Sequence, residues 1–134
     1  DYFFHPGALE DIVKIFDFFP DSWWVIASCI HDNGKQILLP HTPAWNNKLY
    51  EGHNTVGGFA CVSFRNQDVP KIDEDLDWVV DCDWYWRIYL QHGTPRALKD
   101  MNVVIGIGPH QTSNMLSDDQ KLKEHKVMRE RYGY

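Results

Sequence analysis

Residues 73–83 read Asp-Glu-Asp-Leu-Asp-Trp-Val-Val-Asp-Cys-Asp, and residues 84–93 continue Trp-Tyr-Trp-Arg-Ile-Tyr-Leu-Gln-His-Gly. Six carboxylates therefore crowd the start of an aromatic, largely apolar helix, expected over about 83–92 and closed by Gly93. Acids at a helix N-terminus are favoured by the dipole. Acids crowded beside a buried face also raise one another's pKa, which prepares a base or a metal site.

The rest of the chain supplies strands and helices around that segment. Pro6 and the spacing of Leu9, Ile12, Val13, Phe16 and Phe19 predict a helix over 6–19, ended by Pro20. Residues 23–30 (WWVIASCI) read as a buried strand. His31-Asp32-Asn33-Gly34-Lys35 reads as a hairpin turn, with 36–39 as the returning strand. Residues 40–57 form a long polar and aromatic loop, a length that usually marks a binding segment or a mobile one. Strands follow over 58–65 and 102–107. Ser117 and Gln120 form a capping box for a charged helix that runs to Gly133. Leu122, Val127 and Met128 are its inward residues, so it is expected on the surface. The mixture of elements predicts one α/β or α+β domain over 1–134.

Composition excludes several classes of function. Net charge is −6 and the pI is near 5.5, which disfavours nucleic acid and anionic membranes as main partners. The longest apolar stretch, 23–30, is too short to span a bilayer. Cys29, Cys61 and Cys82 are odd in number and widely spaced, which argues against a disulfide framework and fits a reducing, cytoplasmic setting. The chain opens on Asp-Tyr-Phe-Phe without Met, so it is expected to begin inside a longer protein.

Several constellations can carry chemistry. Asp81 and Asp83 read either as helix-start acids or as a general base beside a second carboxylate. Arg87 is placed to pair with Asp83 one turn earlier. His110, after the Gly-Ile-Gly-Pro turn, reads as a loop histidine or as a ligand completing a carboxylate site for Mg²⁺ or Mn²⁺. Trp45, with Asn46, Asn47, Asn54 and Tyr50, offers a flat ring and amides that suit a sugar; equally, Trp45 can pin the loop to the body.

The run KIDEDLDWVVDCDWYWRIYLQHG (71–93) resembles the C-terminal half of family 2 glycosyltransferases with the GT-A fold. The pieces are Phe64-Arg65, the acidic segment Asp73-Glu74-Asp75-Leu76, and the helix from Asp81 to Ile88. The opening DYFFHPGAL resembles the segment after that family's metal-binding acids, with Asp1 in the place of the last one. WNNKLYEGHNTVGG (45–58) resembles the loop before the acceptor site, and PHQTS (109–113) the short motif that closes the active site.

The resemblance implies a partial GT-A-like mixed sheet with flanking helices and without the nucleotide-binding half. It implies inverting transfer of a sugar from a nucleoside-diphosphate sugar to an acceptor hydroxyl, with Asp81 as general base and Asp83 holding the acceptor or supporting the helix start. Trp45, Asn54, Gly57, Gly58, Arg65 and Arg87 would line the substrate site. Asp1 and His110 would hold Mn²⁺ or Mg²⁺. A cytoplasmic parent enzyme, peripheral to a membrane in one version, and self-association through exposed strand edges are further expectations. Two other readings stand beside it: a non-catalytic carbohydrate- or protein-binding module using the 40–57 loop, and an ion-binding protein or small hydrolase built on the acidic run. The order of ligands in an EF-hand is absent from that run.

Overall fold

The computed structural model describes residues 1–109 and 111–133. The elements run β1 (Tyr2–Phe3), α1 (Ala8–Phe18), β2 (Trp24–Asp32), 3-10 turns at Asn47–Glu51 and Phe59–Cys61, β3 (Val62–Phe64), α2 (Val80–His92), β4 (Arg96–Gly106), α3 (Thr112–Met115) and α4 (Asp118–Tyr132). The fold class is mixed α/β, as expected. One sheet has the order β1-β4-β2-β3, with β2 and β4 parallel and both edge pairs antiparallel.

β2 is covered on both faces, which explains its unbroken apolar sequence. Val25, Ala27 and Cys29 pack towards α1 with Ile12, Cys61, Leu98 and Val103. Trp24 and Ile26 point the other way, into a larger core with Leu49, Val56, Val79, Cys82, Tyr85, Ile88 and Met128. The register between β2 and β4 shifts on either side of Ser28. Its hydroxyl lies 3.0 and 2.9 Å from the carbonyl oxygens of Leu98 and Lys99, so the bulge leaves no orphaned hydroxyl.

Some expectations need correction. α1 begins at Ala8, after Pro6, and Leu9 and Val13 are exposed because only the Ala8–Ile12 side faces the sheet. The segment after the Asn33-Gly34 turn does not return as a strand. It makes isolated bridges, Asp32 to Ile37 and Cys29 to His41, and only Gly34 takes positive φ. Residues 58–65 are mostly a 3-10 turn with a three-residue strand. β4 is eleven residues long and starts at Arg96, well before the expected 102. The edge strands expected to self-associate span two and three residues.

α2 ends at Gly93 as expected, with φ +79 and its N–H donating to the Tyr89 carbonyl at 2.8 Å. Its start is Val80, so Asp81 and Asp83 both lie in the first turn. The capping box of α4 is present. Leu122, however, is exposed, whereas Met128 is fully buried. Among the described residues, no helix is long and apolar enough to cross a membrane.

Candidate functional site

Asp81 sits where the first turn of α2 meets the end of the 40–57 loop. Its Oδ1 accepts the Cys82 N–H at 2.7 Å, and its Oδ2 accepts the side-chain amide of Asn54 at 2.5 Å. Asn54 cannot turn away, because its own oxygen accepts the N–H groups of Val56 and Gly57 at 2.9 and 2.8 Å. Its Nδ2 also donates to the Gly57 carbonyl at 2.9 Å, and the buried Tyr85 hydroxyl donates to that same carbonyl at 3.1 Å. Gly57 takes φ +114 here, and a β-carbon on it would lie 3.2 Å from Cys61 Sγ. Glycine is therefore required on both conformational and steric grounds.

Burial raises the Asp81 carboxyl above its ordinary value, against the opposing hydrogen bonds from Cys82 and Asn54. Two clefts open onto this half-buried group. One, of about 580 Å³, is lined by Gly52, His53, Asn54, Trp78 and His125 as well as Asp81. The other, of about 510 Å³, is lined by Asp1, Gly58, Phe59, Trp78 and Ser113 with Asp81. Both lie within the ~300–1,000 Å³ range of small-ligand sites. The structure thus brings Asp81, Asn54, Gly57, Gly58 and Asp1 into one neighbourhood.

Asp83 has a different setting. It is fully buried and lines neither cleft. Its Oδ1 accepts Arg131 and the Tyr132 hydroxyl, each at 2.6 Å, and its Oδ2 accepts Arg87 Nε at 2.8 Å. This is the supporting half of its expected role, joining α2 to α4. Arg87, expected to touch substrate, is held by Asp83 and by the Lys71 carbonyl at 2.6 Å. Arg65 donates to the carbonyls of Ser22, Phe16 and Pro20 and lies over the Phe16 ring, so it fixes the end of α1. Trp45 stacks on Trp86 and meets Trp24 edge-on. These contacts tie the loop to β2 and α2, as the pinning reading expects.

The metal expectation finds no complete donor set. Asp1 lines the second cleft, but its Oδ1 accepts the Gly106 N–H at 2.9 Å. Among the described residues, no three His, Cys, Asp or Glu side chains converge to hold an ion. His110 lies outside the described residues.

Three positions that shape the candidate site escaped the sequence reading. Glu124 of α4 accepts the backbone N–H groups of Asp77, Trp78 and Val79 with one oxygen, at 3.1, 2.7 and 3.1 Å. It pins the turn that leads into α2, up to the N-cap Val79, which has no capping side chain of its own. Trp78 walls both clefts at Asp81, and His125 walls the first. Trp78 stood in the quoted acidic run, but nothing in a single sequence pairs it with a histidine 47 residues on. No protein-family model matches the chain, and no curated protein or solved structure matches it.

Proposed function

We propose that this chain carries the base-bearing, acceptor-side part of an inverting glycosyltransferase of the family 2, GT-A type. One observation carries the reading: the Asp81 carboxylate lies at the junction of two clefts and is gripped by a loop side chain as well as by its own helix. A helix-start acid with only a capping role needs neither a cleft nor a partner from a distant loop.

In the proposed step, an acceptor hydroxyl approaches the Asp81 carboxylate and gives it the proton. The freed electron pair forms a bond to the anomeric carbon of the donor sugar. The bond from that carbon to the diphosphate oxygen breaks, and the diphosphate leaves with the electron pair. Attack opposite the leaving group inverts the anomeric centre. Burial tunes Asp81 for this work, because a base is most effective when its pKa approaches working pH. Asn54 aims the carboxylate and stabilises its ionised form.

The test uses the complete polypeptide that contains these residues, a panel of uridine and guanosine diphosphate hexoses, simple glycoside acceptors and Mn²⁺. Transfer by the parent, with kcat lowered at least about a hundredfold in Asp81→Asn and donor binding retained, supports the reading. Near-equal turnover by the variant, or no transfer by the parent from any donor, sinks it.

A further inference from the structure

The two clefts at Asp81 share an aromatic wall. Trp78 and Asp81 are common to both linings. The indole is held by one edge: its Nε1–H donates to His125 Nε2 at 3.1 Å. An indole nitrogen can only donate, so His125 Nε2 must be bare. The other ring nitrogen then carries the proton and gives it to the Glu51 carbonyl at 3.1 Å. In this arrangement His125 accepts at Nε2 and donates at Nδ1, so the ring is bound at both ends.

The space for this arrangement is built in. A β-carbon on Gly52 would lie 2.6 Å from His125 Nδ1. The Lys121 ammonium lies over the Trp78 ring, 4.7 Å from its centre, and the ring is only partly buried and lines both clefts. A flat, edge-anchored, partly exposed ring beside a carboxylate suits a pyranose, which presents a C–H face to the ring and hydroxyls to the polar rim.

We propose that Trp78 is the platform that receives a saccharide ring beside Asp81, with His125 as the positioning residue that holds the indole. This rests on the transfer reading above and narrows its acceptor to a sugar, rather than a lipid alcohol or a protein hydroxyl. It also makes saccharide binding sensitive to acid. Protonating Nε2 sets two donors face to face and releases the indole. The titratable and charged groups around His125 are Glu51 and His53 from the loop, Asp81 and Cys82 from α2, and Lys121, Glu124 and Arg129 on its own helix.

The experiment follows the indole N–H resonances of the 134-residue chain by NMR. The probes are methyl glucoside, galactoside and mannoside, with propanol as a hydroxyl that is not a sugar. The spectrum of Trp78→Leu, which keeps apolar bulk against the core, assigns the Trp78 signal among six tryptophans. At least one glycoside should shift that signal while propanol does not, and Trp78→Leu should weaken its binding roughly tenfold.

His125→Gln retains an acceptor for the indole and cannot be protonated. It should bind at neutral pH and lose the fall on acidification that the parent shows. Repeating both pH series in Asp81→Asn removes the titration of Asp81. Unchanged glycoside binding in Trp78→Leu, a Trp78 signal unmoved by every glycoside, or the same pH profile in His125→Gln as in the parent overturns the proposal. A polypeptide that transfers sugar through Asp81 yet fails these tests retires this inference alone. One that passes them without transfer retires the catalytic reading and leaves the platform.

Discussion

Asp83 Oδ1 and the Arg131 guanidinium meet at 2.6 Å, joining the helix that carries Asp81 to the last helix of the chain. The carboxylate is fully buried, and Arg87 and Tyr132 complete its shell. Removing one member of such a cluster strands the others, and the stranded charges dominate the cost. Asp83→Ala should lose about 3–5 kcal/mol in urea unfolding. A loss under about 1 kcal/mol would show that the cluster is solvated in practice.

Asp73 shares Arg131 with Asp83, at 2.8 Å, but nearer to solvent. The hydrogen bond from Arg131 holds the Asp73 carboxyl below its ordinary value. A depressed carboxylate contributes stability above its unfolded pKa and loses it as pH falls through the folded value. Asp73→Asn should therefore cost at most about 1 kcal/mol at neutral pH. Thermal unfolding of parent and variant should converge in acid; a constant gap would contradict the pairing.

Asp81 has the opposite sign. Burial raises its carboxyl in the folded chain, so its contribution is complete below the unfolded pKa and is lost as pH rises through the folded one. Asp81→Asn removes that titration. The variant should melt higher than the parent at neutral pH, with the difference closing as pH falls into the carboxylate range. A lower melting temperature at neutral pH would mean that Asp81 is well solvated.

Glu124 accepts three N–H groups of the turn that leads into α2 with a single oxygen. Glu124→Ala should cost about 1–2 kcal/mol, and Glu124→Gln should recover part of it, since an amide oxygen still accepts but carries no charge for the dipole. Amide exchange at Trp78 and Val79 should quicken in step. Unchanged exchange there would place the cap elsewhere.

Gly52 combines φ +83 with a β-carbon position only 2.6 Å from the His125 ring. Gly52→Ala should destabilise by about 1–3 kcal/mol. It should also shift the Trp78 indole resonance, because the histidine that holds that ring must move. Loss of stability with an undisturbed indole signal would confine the effect to the backbone.

Features decided by local chemistry were legible in the sequence. Residues 23–30 read as a strand because they are apolar on both faces, and the observed strand, Trp24–Asp32, overlaps them but runs on into the expected turn; Gly93 and the Ser117–Gln120 box mark helix ends through their own backbone needs. Arg96–Asp100 was missed because its charges and short apolar content carry no strand period; pairing with β2 imposes the extended form. At the site, Asp81 and Asn54 were picked out, but the bond between them was not visible, since it crosses 27 residues. Trp45 and Arg65 have the right chemistry for a ligand, and their packing contacts within the fold carry no signature in the sequence. Glu124 and His125 looked like ordinary members of a solvated helix, because a carboxylate that caps another helix leaves no local pattern.

The capping oxygen of Glu124 lies 45 residues downstream of the Val79 amide that it serves. Synthesis therefore delivers the acid-rich helix mouth long before its stopper. Until α4 is made, the turn that leads into Asp81 lacks that acceptor. Assembly of the candidate pocket thus waits for α4, which supplies both the Glu124 oxygen and the His125 wall.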